Sequence, residues 1–337
     1  MNLKTYTDDT LFDELKPVWN DLVARSIKDT PFNTWEWNSA WWAAYHPGDP
    51  HVVTVTADDG TLLGIAPWFI ENGDAGRVVR FIGHVDVTDY MDMIVDSTQR
   101  EAVFRCFADY LKNATDAFDS IGIANIMEDS PSYTEFADAL RNTGFTVSFE
   151  ANDVAPLIHL PDSYEAYLSE RLDSKQRKEI KRKMRKAEGG LYDIQWYVVG
   201  DDHDLKAESD RFLRLMETAD TEKAEFLRNP QHVDFFNRIV PIAYEKGWLQ
   251  LMFITIDGDA CAAYLNFDYG NRIYVYNSGL DPNTGGALGP GIILLQYAIQ
   301  HSIDAGRDIF DFLRGNEQYK YRMGGTDTHI YQLNATL

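Results

Sequence analysis

One segment near the end of this chain constrains the fold more than any other, because it joins a glycine-rich turn to an amphipathic helix. The turn contains Gly285, Gly286, Gly289 and Gly291, and apolar residues recur at helical spacing over 292–303. Glycine permits positive φ and close backbone approach, so the chain can turn sharply into the helix. The apolar period of the next residues predicts an α-helix that packs one face on a core.

The same segment is the predicted working site. Free N–H groups and the positive end of the helix dipole make a helix start a binding site for phosphate or pyrophosphate. A short strand over 308–313 ends in a charged turn, and α/β folds bind ligands at strand ends beside a helix N-terminus. An ordinary structural loop remains the alternative, because glycine turns before helices are common.

Length and charge bound the class of protein. The chain has 337 residues, of which 45% are hydrophobic, so it can bury two cores. There are 31 Lys and Arg against 53 Asp and Glu, a formal net charge of −22. This excess argues against the whole chain being a DNA binder or a binder of anionic membranes.

Compartment is indicated by the cysteines and the N-terminus. Cys106 and Cys261 lie far apart, without the spacing of a zinc site or a disulfide framework. The first residues lack an apolar signal core, and no run approaches the roughly 20 apolar residues of a membrane span. We therefore expect a cytoplasmic protein without a membrane span.

Two hydrophobic patterns predict two related domains. The segments VTVTADDGTLLGIAP (53–67) and FITIDGDACAAYL (253–265) match in apolar pattern and in a central turn, which is typical of β-hairpins. An aromatic cluster over 32–45 has helical spacing, which favours a packing role over sugar stacking. The polar stretch 150–153 predicts a boundary, giving domains at 1–152 and 153–337.

The two predicted domains enter their helices differently. The first uses Asp96-Ser97-Thr98, an N-cap signal without glycine, whereas the second uses the glycine-rich turn. We therefore expect the first domain to lack a cofactor and the second to bind a phosphate ligand.

A strongly basic helix is predicted between the boundary and the glycine turn. Residues 173–188 (DSKQRKEIKRKMRKAE) hold eight basic and three acidic residues, a net charge of +5. Ile180, Met184 and Ala187 form a narrow inner stripe, so the cationic face is broad. The cations either pair with acidic neighbours as a solvated surface or form a positive wall for an anionic ligand such as coenzyme A, a phospho-sugar or RNA.

Several of these segments together resemble a known family. LGPGIILLQYAI (288–299), FDFLRGNEQYKYR (310–322) and the basic helix are similar to the GNAT-superfamily acyltransferases associated with bacterial cellulose and exopolysaccharide synthesis (CelD/BcsL-like). PFNTWEWNSAWW (31–42), GIAPWF (64–69) and TDYMD (88–92) resemble that family's first domain. The resemblance implies an α/β fold of mixed sheets, with tandem GNAT-like domains that are each a splayed sheet flanked by helices.

The resemblance also implies the donor, acetyl-CoA or another acyl-CoA, bound where the strands part. The superfamily's pyrophosphate loop usually reads Arg/Gln-x-x-Gly-x-Gly/Ala, and here it reads Gly-Ala-Leu-Gly-Pro-Gly over 286–291. Gly286 replaces the Arg or Gln, and Pro290 removes one backbone donor. The expected donor-binding residues are Gly286, Leu288, Gly289, Gly291 and Ile292.

The expected reaction is direct attack of an amine or hydroxyl on the thioester, with no enzyme nucleophile. Glu317 is the first candidate base and Asp311 the second, because both follow the glycine loop and its helix. Tyr319, or else Tyr297, is the candidate acid for the leaving thiolate. Each has a structural alternative: Asp311 can pair with Arg314, Glu317 can cap the turn, and either tyrosine can be core.

Three residues are expected to bind the acceptor: Arg314, Lys320 and Asp89. His84, Asp86, Asp89 and Asp92 also invite a metal interpretation, but their spacing matches no metal loop, and we predict no metal.

Three functions remain open from sequence. The first is an acyl-CoA-dependent N- or O-acyltransferase acting on a saccharide or its precursor. The second is a Fem-like transferase that takes its donor from aminoacyl-tRNA, which the basic helix favours and the net charge opposes. The third is a non-catalytic scaffold in polysaccharide assembly.

Overall fold

The chain forms two compact units. The computed structural model describes residues 1–74, 76–84, 87–285 and 288–337. Unit 1 comprises residues 1–154 and 328–337, and unit 2 comprises residues 155–327. The last ten residues, which the sequence grouped with the second domain, belong to unit 1 because their strand pairs with a strand of that unit.

Unit 1 alternates helices and short strands. Its elements are β1 (Asn2–Tyr6), α1 (Thr10–Val23), a 3₁₀ turn (Pro31–Asn33), α2 (Trp35–Tyr45), β2 (Val52–Thr56), β3 (Leu62–Ala66), β4 (Trp68–Gly73), β5 (Gly76–Phe81), β6 (Ile94–Val95), α3 (Arg100–Asn113), β7 (Ser120–Met127), a π turn (Ser132–Phe136), α4 (Ala137–Asn142), and most of β8 (Thr146–His159) and β14 (Thr326–Thr336).

The strands of unit 1 lie in two groups. The order β1-β2-β3-β6 is antiparallel throughout, and the order β4-β5-β7-β14-β8 includes one parallel pair, β5 with β7. The chain leaves one group for the other at Pro67, between β3 and β4, where proline has no N–H to give to a ladder. The predicted hairpin around Asp58-Asp59-Gly60 is confirmed as β2 and β3.

The predicted aromatic cluster is confirmed as core packing. Trp37 and Trp41 are at most 1% exposed, and the indole N–H of Trp37 donates to Thr88 Oγ1 at 3.0 Å. The helix α2 that carries them begins at a Thr34 cap, whose hydroxyl accepts from Trp37 N. Buried aromatic rings of this size contribute most of the apolar area that stabilises unit 1.

Unit 2 begins with helices and ends with a sheet. Its elements are α5 (Tyr164–Glu170), α6 (Ser174–Ala187), β9 (Ile194–Val198), α7 (Leu205–Ala219), α8 (Thr221–Leu227), α9 (Pro230–Glu245), β10 (Leu249–Ile256), β11 (Asp259–Tyr269), β12 (Arg272–Leu280), α10 (Pro290–Asp304), β13 (Ile309–Asp311) and α11 (Gln318–Arg322).

The sheet of unit 2 is mixed. Its order is β8-β13-β12-β11-β10-β9, and β12 with β13 is the one parallel pair recorded among the described strands of this unit. The predicted hairpin at Gly258 is confirmed, since Asp257 and Gly258 both have positive φ between β10 and β11. α10 packs on β10 and β11, so its apolar stripe faces the core, as its spacing predicted.

Two local predictions about unit 1 are displaced in the structure. The boundary predicted between residues 152 and 153 lies inside β8, and the two units divide two residues later, between Val154 and Ala155. The predicted N-cap near Ser97 is also displaced: α3 begins at Arg100 after Gln99, and Asp96 instead accepts bonds from Thr98. Within the described residues, no helix is long and apolar enough to cross a membrane.

Candidate functional site

The site begins where two parallel strands separate. β12 pairs with β13 over only three positions, and the last pair is Tyr274 with Asp311. β13 then ends, while β12 continues to Leu280. After Asp311 the chain turns at Leu313, which has a φ of 58°. The six residues of β12 beyond Tyr274 are therefore left without a β13 partner, and a gap opens between the two chain segments.

Two irregularities shape the free part of β12. Its register against β11 shifts between the pairs at Leu265 and Asn266, which leaves Tyr276 as an extra residue. Next, Gly279 faces α7 so closely that an added Cβ would lie 2.6 Å from Leu215 Cβ. A glycine is required there, because any side chain would push α7 away from the strand.

The glycine turn enters α10 through a left-handed residue. Gly289 is the N-cap with φ 69°, and Pro290 is the first helical residue, a position where proline's missing N–H costs nothing. Ile292 N and Ile293 N both donate to Gly289 O, at 3.0 and 3.2 Å. These bonds hold the described end of the turn, and main-chain atoms of Gly289 and Gly291 lie beside the gap.

A lysine of the basic helix holds this turn. Lys183 Nζ of α6 donates to Leu288 O at 3.2 Å, and an added Cβ at Gly289 would lie 2.7 Å from the same nitrogen. The predicted cationic helix therefore lies directly against the predicted phosphate loop. Leu288 itself is 4% exposed and points into the core.

A cavity of about 440 Å³ occupies the gap. It is lined by β11, the free end of β12, the following turn, the start of α10 and α11: Tyr264, Ser278, Gly279, Leu280, Asp281, Pro282, Thr284, Gly289, Pro290, Gly291, Ile292 and Tyr319. The three glycines contribute only main-chain atoms. The predicted Gly289, Gly291, Ile292 and Tyr319 are thus brought together, whereas Gly286 lies outside the described residues.

Two tyrosines provide the phenolic groups of the cavity. Burial is the main reason why the pKa of Tyr264 is raised, and burial with the nearby Tyr264 and Glu317 places the pKa of Tyr319 well above its usual value. Both phenols therefore keep their protons at neutral pH and can donate hydrogen bonds. The ring of Tyr319 also packs edge-on against Phe312, with centroids 6.1 Å apart.

The two candidate bases lie in different environments. Asp311 is fully buried, accepts from Leu313 N at 2.8 Å and from Arg272 at 3.2 Å, and does not line the cavity. Glu317 precedes α11, and its carboxylate is 56% exposed and 2.9 Å from Lys320 Nζ. Glu317 also is not part of the cavity lining, but it interacts electrostatically with Tyr319, which is.

The predicted acceptor-binding residues are not gathered at the cavity. Lys320 is 2% exposed, and its ammonium donates to the carbonyls of Leu313, Arg314 and Gly315 at 3.1, 2.5 and 3.1 Å. It fixes the loop after β13 because all its donors are used inside that loop. The side chain of Arg314 is partly buried, and Asp89 belongs to unit 1.

Tyr297, the second candidate acid, is not part of the cavity lining. It stacks on Trp196 with ring centroids 5.2 Å apart and an interplanar angle of 16°. Of the residues that invited a metal interpretation, Asp92 is buried and accepts hydrogen bonds from Ser130 and Ser132. Asp86 lies outside the described residues, and the described His, Cys, Asp and Glu side chains form no cluster that could hold a metal.

The cations of α6 have no carboxylate partner among the described residues. The predicted inner stripe of Ile180, Met184 and Ala187 is confirmed as buried, and Asp173 caps the helix in a capping box. None of the eight Lys and Arg side chains of α6 forms an ion pair with a described residue, and six of these residues are exposed. The pairing with acidic neighbours that the sequence left open is therefore not found.

Sequence reasoning missed one cationic neighbour of the cavity. Lys223 Nζ, on α8, lies 2.5 Å from Ser278 O and 2.9 Å from Ser278 Oγ. The two residues are 55 positions apart in the chain, and α8 is a short helix with no glycine or charge cluster to mark it. No local sequence pattern could have connected them.

Comparison with known proteins agrees with this geometry. Residues 174–321 match the family of the acetyltransferase (GNAT) domain, which covers unit 2 from α6 to α11. No curated protein sequence matches the chain.

Similar solved structures extend over both units. They include FemX (11% identity, 98% of this chain and 97% of that chain, TM-score 0.67) and a conserved protein from Bacteroides thetaiotaomicron (10%, 99% and 100%, 0.62). A third is the C-terminal domain of a putative lysylphosphatidylglycerol synthetase from Agrobacterium fabrum (12%, 96% and 92%, 0.56). At these identities the likeness concerns the fold, which is the mixed α/β architecture of GNAT-type acyltransferases.

Proposed function

We propose that unit 2 transfers an acyl group from an acyl-CoA to an amine or hydroxyl. The observation that carries this proposal is the cavity where β12 and β13 separate, bounded by the glycine turn and the start of α10. A thioester arm is narrow and uncharged, and it suits a gap that is lined by main chain, apolar side chains and a few polar side chains. The acetyltransferase (GNAT) match over the same residues supports the proposal.

The surroundings of the glycine turn favour a donor with phosphate groups. The positive end of the α10 dipole lies at the turn, and Lys183 brings the cationic α6 against Leu288. Coenzyme A combines a thioester arm with pyrophosphate, so one molecule satisfies both the cavity and the charged rim. No protein nucleophile is needed for this chemistry, and no Cys or Ser-His pair lines the described part of the cavity.

In the proposed reaction, binding holds donor and acceptor together, which can lower the barrier by about 7–11 kcal/mol. The acceptor amine or hydroxyl attacks the thioester carbon, its proton passes to Glu317 directly or through water, and Tyr319 protonates the departing thiolate. Each proton transfer is worth about 10²–10⁴-fold in rate. The high pKa of Tyr319 suits it to donate and not to act as a base.

We infer that the acceptor is a saccharide or its precursor. The resemblance of 288–299 and 310–322 to acyltransferases associated with cellulose and exopolysaccharide synthesis supports this class. The inference concerns the acceptor alone, and the donor proposal does not depend on it.

Calorimetric titration with acetyl-CoA and longer acyl-CoA esters tests the donor. An added Cβ at Gly291 meets Leu280 Cδ1 at 4.0 Å, an ordinary contact, so Gly291→Ala fits and Gly291→Glu differs mainly by a carboxylate in the cavity. We expect saturable binding in the full chain, a change of at most a few-fold in Gly291→Ala, and a loss of about a hundredfold or more in Gly291→Glu. Absence of binding for every ester would overturn the proposal.

The eight cations of α6, which form no ion pair with a described residue, favour a second candidate function. One coenzyme A needs fewer cations than these. In this alternative the acyl donor is aminoacyl-tRNA, and α6 contacts its phosphates. Binding of aminoacyl-tRNA by the full chain would then weaken with salt. Neutralising Lys178, Lys181 and Arg185 to Gln would reduce the slope of log K against log salt by about 3. No binding at low salt would exclude this candidate.

A further inference from the structure

The proposed reaction assigns no role to the basic residue Lys223. It is partly buried on α8, and Asp220 caps that helix by accepting from Lys223 N at 2.8 Å. Its ammonium reaches the free part of β12, where it donates to both oxygens of Ser278. Ser278 lines the cavity, so the ammonium contacts a residue of the cavity wall.

The hydrogen-bonding capacity of this ammonium is not filled. A lysine ammonium has three N–H donors, and two are directed at Ser278 O and Ser278 Oγ. No carboxylate among the described residues lies within ion-pair distance of its nitrogen, although this protein has a large excess of Asp and Glu. A partly desolvated ammonium with a remaining donor is stabilised when an anion occupies that direction.

Lys223 interacts with both of the chain segments that separate, β12 and the segment after β13. Ser278 belongs to β12 beyond its last pair with β13, and Glu317, which interacts electrostatically with Lys223, belongs to the segment after β13. Burial lowers the pKa of Lys223, while Asp220 and Glu317 act in the opposite direction. The two carboxylates therefore compensate only part of the cost of burying this charge.

We propose that Lys223 binds an anionic group of the acceptor, a carboxylate or a phosphate, beside the cavity. The proposal rests on the proposed function, because it assigns the acceptor to the same gap as the acyl donor. It deepens that function by naming the class of acceptor: a saccharide or precursor that carries a carboxylate or phosphate near the reacting amine or hydroxyl. A neutral sugar offers hydroxyl acceptors but no charge that would compensate the partly buried ammonium.

Trace acetylation with the N-hydroxysuccinimide ester of acetic acid tests this directly. The intact chain is labelled briefly, and mass spectrometry of its peptides gives the acetylation rate of each lysine. Three solutions of equal ionic strength contain inorganic phosphate, succinate or sodium chloride. Lys206 is the matched control, because it is an exposed lysine of the adjacent α7 whose ammonium already pairs with Asp210 at 2.6 Å.

We expect phosphate or succinate to slow the acetylation of Lys223 saturably, by about tenfold at ten times the dissociation constant, and to leave Lys206 at its chloride rate. Protection by phosphate alone identifies a phosphate group, and protection by succinate alone identifies a carboxylate. If neither anion protects Lys223 more than chloride does, or if Lys206 is protected equally, the proposal is wrong. Acyl-CoA binding is measured separately, so failure of the donor proposal would be distinguished from failure here.

Discussion

The arginines of unit 1 and the basic side chains of α6 in unit 2 differ in their ion pairs, although other cations of unit 2, such as Arg272, are paired. Each of the six arginines of unit 1 forms an ion pair with a carboxylate of the same unit: Arg25, Arg77, Arg80, Arg100, Arg105 and Arg141. In unit 2 the eight basic side chains of α6 form no ion pair with a described residue. In a chain of net charge −22, carboxylates for such pairs are plentiful. This difference is consistent with our proposal that the cations of α6 contact an anionic donor.

The two units also differ where a strand packs closely against a helix. In unit 1, Gly64 on β3 lets α3 approach closely, and an added Cβ would lie 2.5 Å from Val103 Cγ1. The interface there is filled by core residues. In unit 2, Gly279 admits α7 in the same way, but the free end of β12 also borders an open cavity. Close packing of a helix on a strand is therefore common to both units. The candidate site in unit 2 depends in addition on the separation of β12 and β13.

The largest effect that we predict is a loss in the rate of acyl transfer by unit 2 when Tyr319 is replaced. Tyr319→Phe keeps the packing on Phe312 and removes the proton donor, so we expect kcat to fall by about a hundredfold or more with donor affinity unchanged. Tyr110→Phe is the control from unit 1, where the hydroxyl lies 2.7 Å from His51 Nε2. Steady-state kinetics in which both variants, or neither, lose activity would contradict the assignment.

A second prediction concerns a buried carboxylate of unit 1 that serves folding. Burial raises the pKa of Asp92 to about 6, while Ser130, Ser132 and Lys28 oppose the shift. An acid whose pKa is raised on folding destabilises the fold once ionised, so the stabilising difference is present at low pH and is lost between about pH 4 and pH 6. The free energy of unfolding of the wild type should fall by about 2–3 kcal/mol over that range relative to Asp92→Asn.

Denaturant titrations of both chains at several pH values measure this difference. The neighbouring Asp96 is the internal control, because its bonds from Thr98 and Arg25 outweigh burial and lower its pKa. Its contribution has the opposite sign: it is present above the unfolded pKa and is lost as pH falls. A wild type that parallels Asp92→Asn between pH 4 and pH 7 would show that Asp92 is not buried as a neutral acid.

The smallest effect that we predict is on acyl-CoA affinity. It is measured by neutralising two sets of cations that carry the same charge. Neutralising Lys178, Lys181 and Arg185 to Gln should weaken acyl-CoA binding by about tenfold and reduce its salt dependence. Neutralising Arg77, Arg100 and Arg105 removes the same charge from unit 1 and should leave binding unchanged, with little loss of stability because these ion pairs are largely exposed. Equal losses of affinity in calorimetry would mean that only net charge matters.

The sequence predicted what is encoded locally. The helix α10 follows from apolar spacing, the hairpin at Gly258 from its turn residues, and the inner stripe of α6 from its period. The polar residues 150–153 predicted a boundary within two residues of the division between the units, but they did not reveal that β8 continues through it, because polar side chains report exposure and not the end of a strand. Lys320 was predicted to bind the acceptor because it is a basic residue after a strand. Its ammonium instead donates its hydrogen bonds to the loop carbonyls around it.

The rest of the site depends on contacts between distant segments. Ser278 and Lys223 meet only after α8 packs near β12, and Tyr264 reaches the cavity only through the pairing of β11 with β12. Such pairings are set by tertiary packing and leave no mark on the residues nearby. For the same reason the C-terminal strand β14, which pairs with β7, could not be assigned to unit 1 from its own sequence.

Hydrogen–deuterium exchange of the full chain, with and without acetyl-CoA, tests the central claim most directly. The account predicts slower exchange over 288–292 and 275–280, the glycine turn and the free end of β12, with no change over 98–104 at the start of α3. It would be contradicted if acetyl-CoA protected neither segment of unit 2, or protected the start of α3 to the same extent.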